Sequence, residues 1–183
     1  MNIFYTSSCP YRCAEFLDDK RVVKMAVETA QMLSNALGGP YRISHMNHPC
    51  SVWTRESREN AQWMICHLDA LCKEYTKTYH KIHKCQQLVS EFSLNLSKLP
   101  SNGTNSHSEP PNCTFYKGIP VKNAYQMYLL TKWAIYDKRK PTKYKKCINT
   151  SIQISSISSN MVGNRLWTRQ LVLNQLPQSP DRS

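Results

Sequence analysis

Between residues 22 and 37 the side chains Val22, Val23, Ala26, Val27, Ala30, Leu33 and Leu37 recur three and four positions apart, and Gly38-Gly39-Pro40 follows directly. That spacing gathers them on one face of a helix, which has to be buried against other elements, and the Gly-Gly-Pro run ends it. The opposite stripe is polar, with Lys20, Lys24, Glu28, Gln31 and Asn35. As a solvated face it would carry an i,i+4 lysine-glutamate pair. As one wall of a site it would offer cations and a carboxylate on successive turns. Both readings stand at this level.

Other segments repeat the helical signal. Residues 3 to 6 are an apolar lead-in expected to be extended, and Ser7-Ser8-Cys9-Pro10 carries a helix-start signal. Pro49 suits the first turn of a second long helix, expected to run unbroken to about residue 79, with Trp53, Asn60, Met64, Leu68, Leu71 and Tyr75 on one face. A third helix is expected over residues 82 to 92, with Ile82, Cys85, Leu88, Val89 and Phe92 inward. Residues 97 to 120, rich in Ser, Asn, Pro and Gly, read as surface or lid loop. Ala124, Tyr125, Tyr128, Leu129, Lys132 and Trp133 mark a fourth helix. After Cys147 the chain turns uncharged and poor in helix formers. The expected architecture is mainly α: one helical domain over residues 1 to 144 with a short N-terminal extended segment, then an irregular tail over residues 145 to 183.

Charge narrows the partners. Lys and Arg number 24 against 12 Asp and Glu, a formal +12 over 183 residues, which points to a polyanion. No segment approaches the roughly 18 to 20 uncharged apolar residues of a membrane span, so double-stranded DNA is preferred to a membrane surface. The first residues lack the basic flank and long apolar core of a signal peptide, so secretion is not expected, and the eight cysteines read as reduced thiols. No pair has C-x-x-C or H-E-x-x-H spacing, including those among Cys9, Cys13, Cys66, His67, His80, His83 and Cys85. Neither a metal nor another cofactor is expected. The absence of a Gly-rich phosphate loop, a G-x-S-x-G elbow and a dinucleotide fingerprint removes nucleotide hydrolysis and serine-hydrolase chemistry.

Chemistry is therefore sought between the block Asp18-Asp19-Lys20-Arg21-Val22-Val23-Lys24-Met25 and the block His48-Pro49-Cys50-Ser51-Val52-Trp53-Thr54-Arg55-Glu56-Ser57. Lys20, Lys24 and Arg55 are candidates for holding a phosphate, and Asp19 or His48 for the general base. Lys20, Lys24 and His48 are expected to share one pocket. His48 reads equally as a helix cap, and Arg55 equally as a partner of Glu59 four residues on. Trp53 and Trp63 read as core or as base-stacking platforms. Arg21, Lys138, Arg139, Lys140, Lys143 and Lys145 are the candidate DNA-binding cations.

The opening Met1-Asn2-Ile3-Phe4, the Asp19-Lys20 pair before Val22-Val23-Lys24-Met25, Glu28, Gln31-Met32-Leu33, and Asn47-His48-Pro49-Cys50 with Trp53, Arg55, Glu56 and Ser57 resemble a group of small phage and viral proteins. The closing Lys132-Trp133 and Arg139-Lys140-Pro141 resemble it too. In that group the first motif reads Cys-Asp-Lys-His, where this chain has Asp18 and Arg21. The resemblance is closest to the amino-acid:DNA transferases of thymine hypermodification, and more distant to the pyrimidine-dimer DNA glycosylases. The first implies displacement of phosphate from an activated 5-hydroxymethyluracil by an amino acid co-substrate, protecting viral DNA from restriction in the cytoplasm of the infected host cell. The second implies attack on the sugar C1′ by an N-terminal amine, where Asn2 stands in place of that family's threonine. A non-enzymatic viral DNA-binding or counter-defence protein is the third reading, which basicity alone would serve.

One expectation is independent of that choice. If the basic run engages the DNA backbone, neutralising Lys140, Lys143 and Lys145 together weakens binding on all sequences alike. It also lowers the slope of log affinity against log salt by roughly 0.9 for each phosphate that is no longer neutralised. Fluorescence anisotropy across a salt series reads both.

Overall fold

The computed structural model describes residues 1–136, with side chains described through residue 133. Six α-helices account for it, α1 (Pro10–Glu15), α2 (Asp19–Leu37), α3 (Pro49–Glu56), α4 (Arg58–Tyr79), α5 (Leu88–Asn95) and α6 (Val121–Tyr136), and no strand occurs among these residues. The mainly α expectation holds. The C-terminal tail and Lys138, Arg139, Lys140, Lys143 and Lys145 lie outside the described residues.

Helix α2 begins at Asp18, whose carboxylate accepts from the Arg21 amide at 3.1 Å, and ends at Gly38, whose φ is positive (78°). The two glycines that follow do different work. Gly38 turns the chain, whereas a β-carbon on Gly39 would meet Ser34 Oγ at 2.7 Å and Phe92 at 2.9 Å, so Gly39 lets α5 approach closely. The buried arc of α2 comprises Val22, Met25, Ala26, Thr29, Ala30, Met32, Leu33, Ser34 and Leu37. Val23, expected inward, is exposed, and Val27 is half-buried. Methionines 25 and 32 take those places because the arc is centred about one position round from the one the valines suggested.

The helix expected to run unbroken from Pro49 divides at Ser57. That residue is extended (φ −150°, ψ 158°), and its hydroxyl accepts from the Asn60 amide at 3.2 Å as the N-cap of α4. A serine that can cap a new helix competes with continuing the old one, which apolar periodicity does not register. The third helix also starts later than expected. Residues Lys84–Gln87 form a 3-10 turn before α5, and Ile82, expected inward, is exposed.

Helix α4 is the central element. It packs on α2, α1, α3 and α5, and Tyr79 Oη donates to Asp19 O at 3.2 Å, joining the end of α4 to the start of α2. Trp53 and Trp63 are both core, which rules out their use as exposed stacking platforms. Of the segment expected as surface or lid loop, residues 97 to 120, the part from residue 99 onward runs largely exposed and is pinned to α3 and α4. Asn60 Oδ1 accepts from Ser108 N at 2.9 Å, Trp53 Nε1 donates to Ser108 Oγ at 2.9 Å, and Glu59 accepts from Ser101 and Asn102. No helix of the described residues is long and apolar enough to cross a membrane.

His67 on α4 is fully buried and bonds through Nδ1 to Pro10 O at 3.1 Å, while its Nε2 has no partner. Burial pushes its pKa down to about 4, so the folded protein binds its proton less readily than the unfolded chain, where the value is near 6.5. The stability this neutral ring allows is complete above pH 6.5 and is lost as pH falls toward 4, at a cost of about 3 kcal/mol across the window. Urea denaturation at a series of pH values will show that dependence, and His67→Phe, which keeps a buried ring without a titrating group, will flatten it between pH 6.5 and 4.

Candidate functional site

The first six residues position the site. Ile3, Phe4, Tyr5 and Thr6 are all buried, held by apolar contacts and by Gln126 Nε2 donating to Thr6 O at 3.0 Å from α6. The Phe4 ring stacks on Tyr128 with centroids 6.1 Å apart and meets Tyr125 edge-on at 6.3 Å. Phe4 has a left-handed backbone (φ 52°), a strained state for a bulky residue. It is supported by Asn2 Oδ1, which accepts from both Ile3 N (2.8 Å) and Phe4 N (3.1 Å). That local turn directs the chain start onto the polar stripe of α2.

There the Asn2 main-chain nitrogen donates to Glu28 Oε2 at 3.1 Å, and the Met1 amine lies 3.9 Å from the same oxygen. Lys24 Nζ takes the other carboxylate oxygen at 3.2 Å. The stripe is therefore not a uniformly solvated face. Glu28 is only 14% exposed because the chain start lies over it, whereas the Lys24 side chain is 73% exposed. His48 belongs to the same locality, since the amine's positive charge and Glu28 both act on it. Burial first, then the amine and His45, pushes the imidazole below its ordinary pKa, so it is neutral at neutral pH. Its Nδ1 accepts from Cys50 N at 3.2 Å and caps α3, the alternative role the sequence allowed.

A pair of thiols completes the neighbourhood. Cys50, in the first turn of α3, lies with its sulfur 3.6 Å from that of Cys113 on the pinned loop. Cys113 N donates to the Tyr125 hydroxyl at 3.2 Å, and that hydroxyl donates to Pro111 O at 2.9 Å. Donation from the Cys50 thiol lowers the Cys113 pKa, assisted by Tyr125 and Lys117, while Cys50 itself is raised. The ligand atoms of His48, Cys50 and Cys113 lie within 4.8 Å of one another. No sequence spacing announced this cluster, because its third member is 63 residues away from the second.

The remaining candidates are distributed along α2 and α3. Asp19 opens α2 half-buried, and Lys20 is exposed one turn before Lys24. Arg21 pairs with Asp18 and lies 5.9 Å over the Phe4 ring. Arg55 does not pair with Glu59; it donates to Met46 O and braces the connector ahead of α3. Asp18, where the resembling group has cysteine, is buried and accepts from Trp133 Nε1 at 2.7 Å as well as from Arg21, so it anchors α6 to the start of α2. Sequence reading placed Glu28 in the polar stripe and among the motifs of the resemblance but not among the catalytic candidates, named Tyr125 only as part of a helix, and missed Cys113. The one available signal was the apolar chain start, which has to be buried and so brings the amine with it.

Residues 1–87 match the family model described as pyrimidine dimer DNA glycosylase. No curated protein and no solved structure matches the chain.

Asp18 provides a test of how the site is held. Asp18→Ala removes a helix cap, an ion-pair partner and the acceptor for Trp133 in one step. It should destabilise the fold by about 3–5 kcal/mol, as expected when a buried pair loses one member. Asp18→Asn keeps a capping oxygen and should cost distinctly less. Denaturant midpoints at constant slope measure both.

Proposed function

We propose that this protein excises damaged bases from DNA by attack of its chain-start amine on the sugar C1′, with Glu28 as the essential carboxylate. The observation that carries the reading is the meeting of main-chain nitrogen and carboxylate at 3.1 Å between Asn2 and Glu28, in the segment that matches the glycosylase family model. The Met1 amine lies 3.9 Å from the same Glu28 oxygen, and removal of Met1 would turn the Asn2 nitrogen, 3.1 Å from it, into an amine, so either form places the nucleophile beside an acid-base group. The substrate that the family description suggests is duplex DNA bearing pyrimidine dimers.

The amine lone pair attacks C1′, the N-glycosidic bond breaks, and the base departs with the bonding electrons and takes up a proton. Loss of a proton from nitrogen and opening of the sugar ring then leave an imine between the amine and C1′. Glu28 orients the amine, accepts its proton and balances the positive charge that develops at C1′. Lys24 holds the second oxygen of Glu28, so the first remains directed at the amine. His48, neutral beside them, adds no competing charge. Exposed Lys20, together with Lys138, Arg139, Lys140, Lys143 and Lys145, supplies phosphate contacts in this reading. The target nucleotide must be flipped from the duplex to reach the amine.

The amino-acid transfer reading asks for cations gathered around a leaving phosphate. Of its candidates, Lys24 is engaged with Glu28 and Arg55 with Met46 O, which favours the amine chemistry.

Incubation with ultraviolet-irradiated duplex DNA and borohydride should give a covalent protein-DNA adduct, with the attachment mapped by mass spectrometry to Asn2 or Met1. Glu28→Gln should lower the trapping rate by about 10²-fold or more while DNA affinity stays within about twofold. Absence of an adduct together with a new amino-acid-bearing nucleoside in DNA containing activated 5-hydroxymethyluracil would instead establish the transferase. Binding without either product would leave a DNA-binding protein.

A further inference from the structure

We infer that His48, Cys50 and Cys113 form a binding site for a thiophilic divalent cation of the zinc class, fastening the loop of residues 99 to 120 to the start of α3. Two thiols and one imidazole converge with all ligand atoms inside 4.8 Å, on groups whose backbones are held independently. His48 and Cys50 sit at the N-terminal turn of α3. Cys113 is fixed by its amide bond to Tyr125, and the following turn is closed by Asn112 Oδ1, which accepts from Thr114 N at 2.9 Å.

The sulfur separation fits two ligands of one metal ion. Two thiolates bound tetrahedrally at about 2.3 Å stand about 3.8 Å apart. The observed 3.6 Å between the sulfurs is close to that, whereas a disulfide requires about 2.0 Å. No pair in the set is wider than 4.8 Å, so a movement of roughly 1 Å suffices to reach tetrahedral sulfur-nitrogen separation. A thiolate pair with imidazole is a soft to borderline donor set, which selects zinc over magnesium or calcium. The capping bond from Cys50 N marks His48 Nδ1 as the ring's lone-pair nitrogen, so the cation takes that nitrogen in exchange for the cap. Three protein ligands leave a fourth position for water.

Placed there, the cation joins two segments 63 residues apart beside the chain start, and it does so whether or not the base-excision reading is correct. It is distinct from the Asn2–Glu28 contact, which shares none of its ligands.

The test uses the full chain, reduced and stripped with a chelator, then titrated with Co²⁺ alone. A near-ultraviolet thiolate-to-cobalt charge-transfer band, with the visible bands of tetrahedral cobalt, should saturate at one ion per chain, and Zn²⁺ should displace it. Cys113→Ser should abolish the charge-transfer intensity contributed by its sulfur and weaken Co²⁺ binding by roughly tenfold or more. His48→Asn keeps a good helix cap and should weaken it similarly, so a loss of binding there is not a loss of folding. Cys66→Ser should leave the spectrum unchanged. No thiolate band in the reduced protein, or a band that survives both Cys113→Ser and His48→Asn, would overturn the site. So would a Cys50–Cys113 disulfide found by peptide mapping of protein purified without oxidant.

Discussion

The burial of residues 3 to 6 is the constraint on which the site depends. A chain start would ordinarily fray, yet Ile3, Phe4, Tyr5 and Thr6 are each no more than 6% exposed. Apolar burial and the ring contacts of Phe4 with α6 offset both the ordering entropy and the strained backbone at that residue. With this run fixed, the two residues before it have little freedom. Their nitrogens lie against Glu28 on α2, 3.1 Å from its Oε2 for Asn2 and 3.9 Å for Met1.

The same α2 helix serves two purposes through its two faces. One face supplies the core with Met25, Ala26, Met32 and Leu33. The other presents Lys20, Lys24 and Glu28 at successive turns, and only Glu28 is covered. A carboxylate with limited water around it, paired on one oxygen by Lys24 and on the other by a main-chain nitrogen, is better organised for proton transfer than a solvated one. Asp18 secures the beginning of this helix and ties it to Trp133, so the helix carrying Glu28 and the helix packed on Phe4 are held by one buried carboxylate.

The loop of residues 99 to 120 gains its order from side chains on the α3–α4 corner. Asn60 is central: its amide donates to Trp53 O while its oxygen accepts from Ser108. Glu59 fastens the beginning of the loop, and its bonds to Ser101 and Asn102 hold its pKa down to about 2. The break between α3 and α4 at Ser57 is what turns these two residues toward the loop. Cys113 is thereby delivered to Cys50, and Tyr125 to the turn before it.

Local sequence was sufficient for the helical class, for the Gly38 stop, for Pro49 opening α3 and for a helix over Ala124 to Trp133, because those features are written in periodicity and in capping chemistry. It also marked His48 and the Lys24–Glu28 stripe as places where polar groups recur. Tertiary structure decided the rest. Whether Val23 or Met25 faces inward depends on how α2 is rotated against α4. Whether Pro49 begins one helix or two depends on a serine hydroxyl choosing the Asn60 amide. The chain-start partner of Glu28 and the thiol partner of Cys50 lie 26 and 63 residues away, and no periodicity carries information over that separation. Only packing brings the chain start to Glu28 and Cys113 to Cys50, because both arrivals follow from burying apolar surface elsewhere in the chain.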